Sequence, residues 1–75
     1  MQKLRNEFMI LFSERLRELR IEKQISQSEL AKILGVSQRS ISSWETGFRR
    51  PEYEMLEQLA DFFDVTMGYL LGTED

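Results

Sequence analysis

The sequence predicts an all-α fold, a compact five-helix bundle that forms one domain. Apolar residues recur at intervals of three and four along most of the chain, the spacing that places them on one face of a helix. The chain has only one proline and four glycines, and most of these fall between the apolar segments, where helices end. A chain of 75 residues is near the lower limit for a single core without disulfides or metals, so no second domain is expected within it.

The first two helices are predicted over residues 11–24 and 27–34. The inner stripe of the first helix contains Phe12, Leu16, Leu19 and Lys23, the last through its aliphatic stem. Ser26 and Glu29 have the spacing of a capping box, in which the serine hydroxyl accepts from the third backbone N–H and the glutamate reaches back. Gly35 ends the second helix, because glycine adopts the left-handed conformation without steric cost.

The third helix is predicted to begin after Ser37, which can cap it, and to run to about residue 46. Ile41 and Trp44 lie three residues apart and should face the core. The tryptophan is therefore interpreted as a core residue rather than as a platform on which a base stacks. Gly47 ends this helix.

The fourth and fifth helices are predicted over residues 53–63 and 67–71, after the single proline, Pro51. Helix four should bury Leu56, Leu59, Ala60 and Phe63. The expected cap residues of helix five are Thr66 and Gly72. Gly68 inside helix five costs about 1 kcal/mol relative to alanine, so packing must hold that turn.

The composition excludes several classes of functional site. The chain has no cysteine, so it forms neither disulfides nor thiolate metal sites, and no histidine, the usual general base and metal ligand. We therefore expect no metal and no cofactor. An enzyme would depend on paired carboxylates such as Asp61 and Asp64, which are more simply explained as a solvated helix end, so the chain is not expected to be an enzyme.

The sequence also lacks membrane and export signals. No apolar run approaches the roughly 18 residues of a membrane span, and no signal-peptide pattern opens the chain. The absence of cysteine fits a reducing compartment. We therefore expect a soluble, cytoplasmic protein without a membrane partner.

Charge is divided unevenly along the chain. Residues 1–50 contain all ten lysines and arginines against six acidic residues, a net charge of +4. Residues 51–75 contain seven acidic residues and no basic one, which brings the total to −3. Alone, this division is weak evidence, because a short chain can segregate charge by chance. It gains meaning only when a motif points to the same face.

Residues 27–44 have the spacing of two helices that cross steeply through a tight turn, a helix-turn-helix. The second helix of such a unit packs through few residues, which here are Val36, Ile41 and Trp44. The opposite face is predicted to point outward, and it contains Gln38, Arg39, Ser40, Ser42 and Ser43. A helix about 10 Å across fits the DNA major groove of about 12 Å, and short donor and acceptor side chains suit base edges.

The segment SQSELAKILGVSQRSISSWETG, residues 26–47, contains a capping box, an alanine, a turn glycine, a second cap, a tryptophan and a Glu-x-Gly ending, in that order. In this it resembles the phage-repressor family of helix-turn-helix domains, which have the lambda-repressor-like fold. The resemblance extends over residues 12–72, which are expected to form the DNA-binding domain, followed by a tail of residues 73–75.

The resemblance implies roles for individual residues. Base edges would be read by Gln38, Arg39 and Ser43. Backbone phosphates would be held by Gln27, Ser37, Ser40, Arg49 and Arg50. An internal ion pair that fixes orientation would join Arg20 and Glu45. Plainer interpretations remain open: Gln27 as an exposed helix start, Arg39 as a solvated arginine, and the loop arginines as a solvated turn.

The family resemblance implies sequence-specific binding of double-stranded DNA by a bacterial transcriptional regulator, most simply a repressor of a prophage or mobile element. One short recognition helix touches only about four or five base pairs, so relatives bind palindromic operators as dimers. The candidate dimer contacts are Phe62, Met67 and Tyr69, unless these residues complete the core. The homodimer is expected to form on DNA and to be weak in solution.

The alternative function is a protein-interaction module of the same fold, an antitoxin or the partner of an anti-repressor. Its acidic half would then bind a basic protein, and helices four and five would show an exposed apolar patch. In that case any affinity for DNA would survive the substitution Arg39→Ala.

Residues 1–11 depart from the family pattern. Residues 8–12 are apolar, where most relatives begin short and polar. This run would extend the first helix over the core or add a dimer contact. Alternatively, residues 1–8 are a cloning-derived leader and Met9 is the true start. At the other end, residues 72–75 stop where many relatives continue into a second domain, so a fragment of a longer repressor is one interpretation.

Overall fold

A computed structural model describes residues 2–74 and places the side chains of residues 11–74. Within that range the chain forms five α-helices and no strand, as the sequence predicts. The helices are α1 Gln2–Glu22, α2 Gln27–Leu34, α3 Gln38–Thr46, α4 Tyr53–Phe63 and α5 Met67–Leu71. The predicted bounds of α2, α4 and α5 are the observed ones, and α3 begins directly after its predicted cap.

α1 is longer than predicted, because it begins at Gln2 instead of residue 11 and ends at Glu22 instead of residue 24. The prediction followed the apolar stripe, but residues 2–10 contain no proline or glycine and are mostly good helix formers. Residue 11, the expected boundary of an N-terminal extension, is therefore not a break in secondary structure. Whether the side chains of residues 8–10 cover the core lies outside the described residues, as does residue 1.

The C-terminal end of α1 is set by Gln24, whose backbone is left-handed with φ 61°. The Ile25 N–H donates to the Arg20 carbonyl at 3.3 Å and closes the end of the helix. The prediction that Lys23 completes the inner stripe is wrong: its side chain is exposed, and Nζ lies 5.0 Å from the centre of the Phe62 ring. Because α1 ends at Glu22, Lys23 no longer follows the helical period that would place it inward.

One hydrophobic core lies between the helices. Its buried apolar residues are Phe12, Leu16, Leu30, Ala31, Ile41, Trp44, Leu56, Leu59, Ala60, Phe63 and Leu70. Trp44 is 7% exposed, which confirms it as a core residue. Leu34 and Val36, which the sequence places inward, are half-buried and pack against this core. Full burial of a side chain of leucine size contributes about 1.5–3 kcal/mol, so this cluster is the main source of stability.

Side-chain caps and left-handed residues set the ends of the other helices. Ser26 and Glu29 form the predicted capping box: the Glu29 N–H donates to Ser26 Oγ at 3.0 Å and the Ser26 N–H to Glu29 Oε1 at 2.7 Å. The predicted caps Ser37 and Thr66 accept from the third backbone N–H in the same way. α4 ends at Asp64, with φ 57°, where no glycine marks the end in the sequence.

Gly68 lies inside α5 where the C-terminal segment folds back over it. A Cβ atom at this position would lie 2.5 Å from Oε2 of Glu74. Thr66 holds the Glu74 side chain there, because its Oγ1 donates to Glu74 Oε1 at 2.7 Å. Because glycine has no Cβ atom, the Glu74 side chain can approach the backbone of α5 this closely. This contact is the packing expected around Gly68, a residue that is unfavourable inside a helix.

Candidate nucleic-acid interface

α2 and α3 form the predicted helix-turn-helix, joined by a turn at Gly35, where φ is 74°. α3 packs inward through Ile41 and Trp44, so its opposite face is directed away from the core. Gln38 and Arg39, at the start of that face, are exposed. They are therefore accessible to a binding partner.

The three serines of α3 are less accessible than the sequence predicts. Ser40, Ser42 and Ser43 are half-buried, whereas a fully outward face would expose them. A serine side chain is short, so neighbouring groups overlap it; Ser40 Oγ, for example, lies 3.1 Å from Ser37 Oγ. The exposed part of the face is thus concentrated at the first two residues of α3.

A chain of hydrogen bonds links the first residues of α2 and α3. Gln38 donates from Nε2 to Gln27 Oε1 at 3.0 Å, and Gln27 donates from Nε2 to Glu45 Oε1 at 3.1 Å. Gln27, which the resemblance assigns to a phosphate, is half-buried, so its interpretation as an exposed helix start is wrong. Its amide group has a second N–H beyond the bond to Glu45. That hydrogen is the side-chain donor with which Gln27 could reach a phosphate.

Arg20 and Glu45 are in contact, in the arrangement that the resemblance implies. Arg20 donates from Nε to Glu45 Oε2 at 2.6 Å and from Nη2 to Oε1 at 3.0 Å. The two side chains are 13% and 3% exposed, so the pair is largely removed from water. The hydrogen bond with Glu45 raises the pKa of Arg20 above its ordinary value, although partial burial acts in the opposite direction. Arg20 also donates to the Ile25 carbonyl at 2.9 Å and so holds the turn after α1.

Ser37, assigned by the resemblance to a phosphate, uses its hydroxyl oxygen as the cap of α3. Its Oγ accepts from the Ser40 N–H at 3.1 Å, and the residue is exposed. The hydroxyls of Ser37 and Ser40 each have one hydrogen. Either hydroxyl can donate to the other, and the remaining hydrogen can be donated to a binding partner. A cap and a phosphate contact are therefore compatible at Ser37.

The loop after α3 has three exposed residues in a row, Phe48, Arg49 and Arg50. Gly47 turns the chain with φ 80°, and the N–H groups of Phe48 and Arg49 both donate to the Ser43 carbonyl, at 3.0 and 3.2 Å.

A groove of about 600 Å³ lies beside this loop. Phe48, Arg49 and Arg50 line it on one side, and Ser37, Arg39, Ser40 and Ser43 line it on the side of α3. Sequence reasoning gave Phe48 no role, although its place between a helix-ending glycine and two arginines was an available signal.

The candidate dimer contacts are each engaged within the chain. Phe62 and Met67 are half-buried and pack against the core. The Phe62 ring packs edge-on against Phe63, with 4.9 Å between ring centroids. The Arg15 guanidinium lies 4.2 Å from the centre of the half-buried Tyr69 ring. These contacts favour a packing role for part of each side chain, and the dimer role stays a prediction.

Other kinds of site find little support in the part of the chain that the structure describes. Over residues 11–74, whose side chains the structure describes, no group of histidine, cysteine, aspartate or glutamate residues could hold a metal ion. No helix within residues 2–74 is both long enough and apolar enough to cross a membrane. The exposed large apolar side chains among residues 11–74 are Ile21, Ile33, Phe48 and Tyr53. One of them is on α4 and none is on α5, so the patch that an interaction module would show is not seen there.

Sequence comparison relates the chain to known regulators. It matches the helix-turn-helix family over residues 16–70. It is 44% identical over 61 residues to the HTH-type transcriptional regulator AnsR of Bacillus subtilis (strain 168), an alignment that covers 81% of this chain and 53% of that protein. It is 32% identical over 65 residues to RstR, the cryptic phage CTXphi transcriptional repressor of Vibrio cholerae. That alignment covers 87% of this chain and 59% of RstR. The chain therefore spans little more than half the length of these relatives.

Two solved structures have the same architecture. The P22 c2 repressor, crystallised in complex with synthetic operator 9T, superposes with a TM-score of 0.80 at 36% identity, over 85% of this chain and 97% of that chain. The solution structure of the SOS-response transcriptional repressor LexA from Eubacterium rectale superposes with a TM-score of 0.83 at 30% identity. The superposition covers 92% of this chain and 71% of the LexA chain. With its match over residues 16–70 and these structural likenesses, the chain belongs to the helix-turn-helix family and has the lambda-repressor-like fold.

Proposed function

We propose that this chain binds double-stranded DNA sequence-specifically, with α3 in the major groove. It would serve as the DNA-binding domain of a cytoplasmic bacterial transcriptional regulator of the phage-repressor type. The observation that carries the proposal is the outer face of α3, where the exposed side chains of Gln38 and Arg39 stand beside a loop with two exposed arginines. The structural neighbour c2 repressor was crystallised with operator DNA, which supports DNA binding by this chain.

Gln38 and Arg39 are the proposed readers of base edges. Arg39 presents a planar guanidinium that suits the two acceptors of guanine, a contact worth about 1–3 kcal/mol of discrimination. Gln38 suits adenine, whose major-groove edge offers one donor and one acceptor. The bond from Gln38 to Gln27 uses one amide N–H and leaves Oε1 and the second N–H, the two groups that adenine requires. Ser43, which is half-buried, would add a shorter and less selective contact.

Phosphates would be held at both ends of the recognition unit. Arg49 and Arg50 follow α3 and are exposed, so each can neutralise a backbone charge. Gln27 and Ser37 lie at the N-terminal ends of α2 and α3, where the helix dipole favours an anion. Ser40, half-buried beside Ser37, would make a secondary contact. These contacts fix the register of α3 without reading sequence.

The uneven division of charge indicates which side of the domain would face DNA. All the lysines and arginines precede residue 51, whereas the segment that contains α4 and α5 has only acidic charges. Phosphates would therefore attract the α2 to α3 side and repel the α4 to α5 side. The repulsion acts within a Debye length, about 8 Å at physiological salt, so affinity for non-specific DNA should be weak.

We further propose that the chain binds its operator as a homodimer. One recognition helix contacts about four or five base pairs, which is too few to specify a site in a genome. The candidate contacts remain Phe62, Met67 and Tyr69. Because part of each side chain already packs within its own chain, the dimer should be weak in solution and should form on DNA.

The experiment that tests the proposal is a selection from a random duplex library with the purified chain, at low and at moderate salt. We expect a short inverted repeat, with half-sites about one helical turn apart, to be retained. The variant with Gln38→Ala and Arg39→Ala should lose this enrichment. Glu57→Ala, at an exposed residue of α4, should keep it.

Two outcomes would contradict the proposal. If no sequence is enriched at either salt, the proposed DNA binding is wrong for this chain. If the repeat is enriched equally by the double variant, the outer face of α3 does not read the bases, and the protein-interaction function becomes the better account.

A further inference from the structure

Phe48 is a highly exposed aromatic residue in an unusual setting. Its side chain is 77% exposed, compared with 65% for Tyr53. Scattered exposed apolar residues are common on proteins, so exposure alone indicates no function. Phe48 differs because two exposed arginines follow it directly and because it lines the same groove as Arg39, the proposed base reader.

Resting on the proposed function, we infer that Phe48 is a DNA contact whose ring packs against the deoxyribose of the strand that Arg49 and Arg50 hold. The ring is attached to a fixed backbone, since the Phe48 N–H donates to the Ser43 carbonyl at 3.0 Å. The loop backbone that carries the ring is therefore tied to α3.

The charges around the groove favour a DNA strand as the occupant. Its positive charges belong to Arg39 on α3 and to the two loop arginines, and its negative charges belong to Glu52 and Glu54 at the start of α4. A strand would thus approach on the side of α3 and the loop, where Phe48 lies. Phenylalanine has no charge to offer a phosphate, so its contribution must come from apolar contact. The sugar is the part of the backbone that can supply such contact.

An apolar contact to a sugar has two measurable properties. Burial of an aromatic ring is not screened by salt, whereas each neutralised phosphate changes the slope of log K against log salt by about 0.9. In addition, the sugar is the same at every base pair, so the contact favours no particular sequence. Phe48 is therefore expected to strengthen binding without changing either the salt slope or the base preference.

The test compares Phe48→Ala with the wild-type chain by fluorescence anisotropy, on the operator found by selection and across a salt series. Phe48→Ala should bind about tenfold more weakly at every salt concentration, with the slope unchanged. The loss should be the same on operators in which single base pairs are changed. Phe48→Leu, which keeps apolar surface, should lose less. Tyr53→Ala is the matched control, because it removes an exposed ring that is flanked by acidic residues, and it should bind within about twofold of wild type.

Three results would overturn this inference while the wild-type chain still binds and the proposed function stands. The first is equal binding by Phe48→Ala. The second is a loss accompanied by a slope change of about 0.9, since Phe48 would then only position an arginine. The third is a loss that vanishes when particular thymines are replaced by deoxyuridine, since the ring would then contact a base methyl. If the wild-type chain binds no duplex at all, the proposed function itself fails.

Discussion

Glu45 of α3 accepts two hydrogen bonds from Arg20 of α1, at 2.6 and 3.0 Å, in a site largely removed from water. Because Gln27 also donates to Glu45, and Gln38 donates to Gln27, the same carboxylate helps to fix the amide proposed to read a base. One buried charge thus connects the stability of the domain to the geometry of its outer face.

Removing that charge should destabilise the fold. Glu45→Gln keeps the size of the side chain but leaves the Arg20 charge without an anionic partner in a nearly dry site. We expect the free energy of unfolding to fall by about 2–3 kcal/mol. Glu57→Gln makes the same chemical change at an exposed residue of α4 and should alter it by less than about 0.5 kcal/mol. Urea unfolding measures both variants, and equal stability would contradict the role given to the pair.

The capping box at the start of α2 should contribute measurably to stability. Ser26→Ala removes the oxygen that accepts from the Glu29 N–H and should cost about 1 kcal/mol. Ser28→Ala removes a hydroxyl from an exposed residue two positions later and should cost much less. Urea denaturation of the two variants gives the comparison. A Ser26→Ala protein as stable as Ser28→Ala would show that the cap is not formed in solution.

Two left-handed glycines should respond differently to an added methyl group. At Gly35 a Cβ atom would meet nothing within 4 Å, so alanine should cost only the backbone strain, about 1–2 kcal/mol. At Gly47 it would lie 3.2 Å from Oγ of the buried Ser13, so alanine should cost more. Each additional 1 kcal/mol lowers the melting temperature of a domain this small by about 4–8 °C. Equal melting temperatures would refute the tight approach of Gly47 to α1.

The loop arginines should determine the salt dependence of DNA binding. Arg50→Ala should weaken binding to all sequences alike and reduce the slope of log K against log salt by about 0.9. Lys23→Ala removes the same charge at a residue whose Nζ lies near the Phe62 ring, and it should leave the slope nearly unchanged. Anisotropy titrations at several salt concentrations measure both slopes. A slope that Arg50→Ala does not change would mean that this arginine stays solvated in the complex.

The fold was predictable because its signals act within a few residues. Ser26 caps its own helix, Gly35 ends it, and Ile41 and Trp44 mark the buried side of α3 by their spacing. The start of α1 was missed because the prediction followed the apolar stripe, and such a stripe indicates only the part of a helix that packs against the core. The end of α4 after Phe63 was predicted correctly, although a left-handed aspartate, Asp64, stands there instead of a glycine.

The features that the sequence did not reveal depend on contacts between distant segments. The fold of Glu74 over Gly68, the bond between Gln27 and Gln38, and the half-burial of the α3 serines all require three-dimensional proximity. The roles of the site residues came from a family resemblance, and that resemblance assigned no role to Phe48.

The proposed function requires that α3 read base edges through Arg39. The most direct measurement is the affinity of wild-type protein and of Arg39→Ala for a set of operators that each carry one base-pair change. We predict that wild type loses about 1–3 kcal/mol at one G·C pair of each half-site, while Arg39→Ala binds every sequence alike at that pair and still discriminates elsewhere. If Arg39→Ala keeps the wild-type preference at every position, α3 does not read DNA through this residue and the proposed function is contradicted.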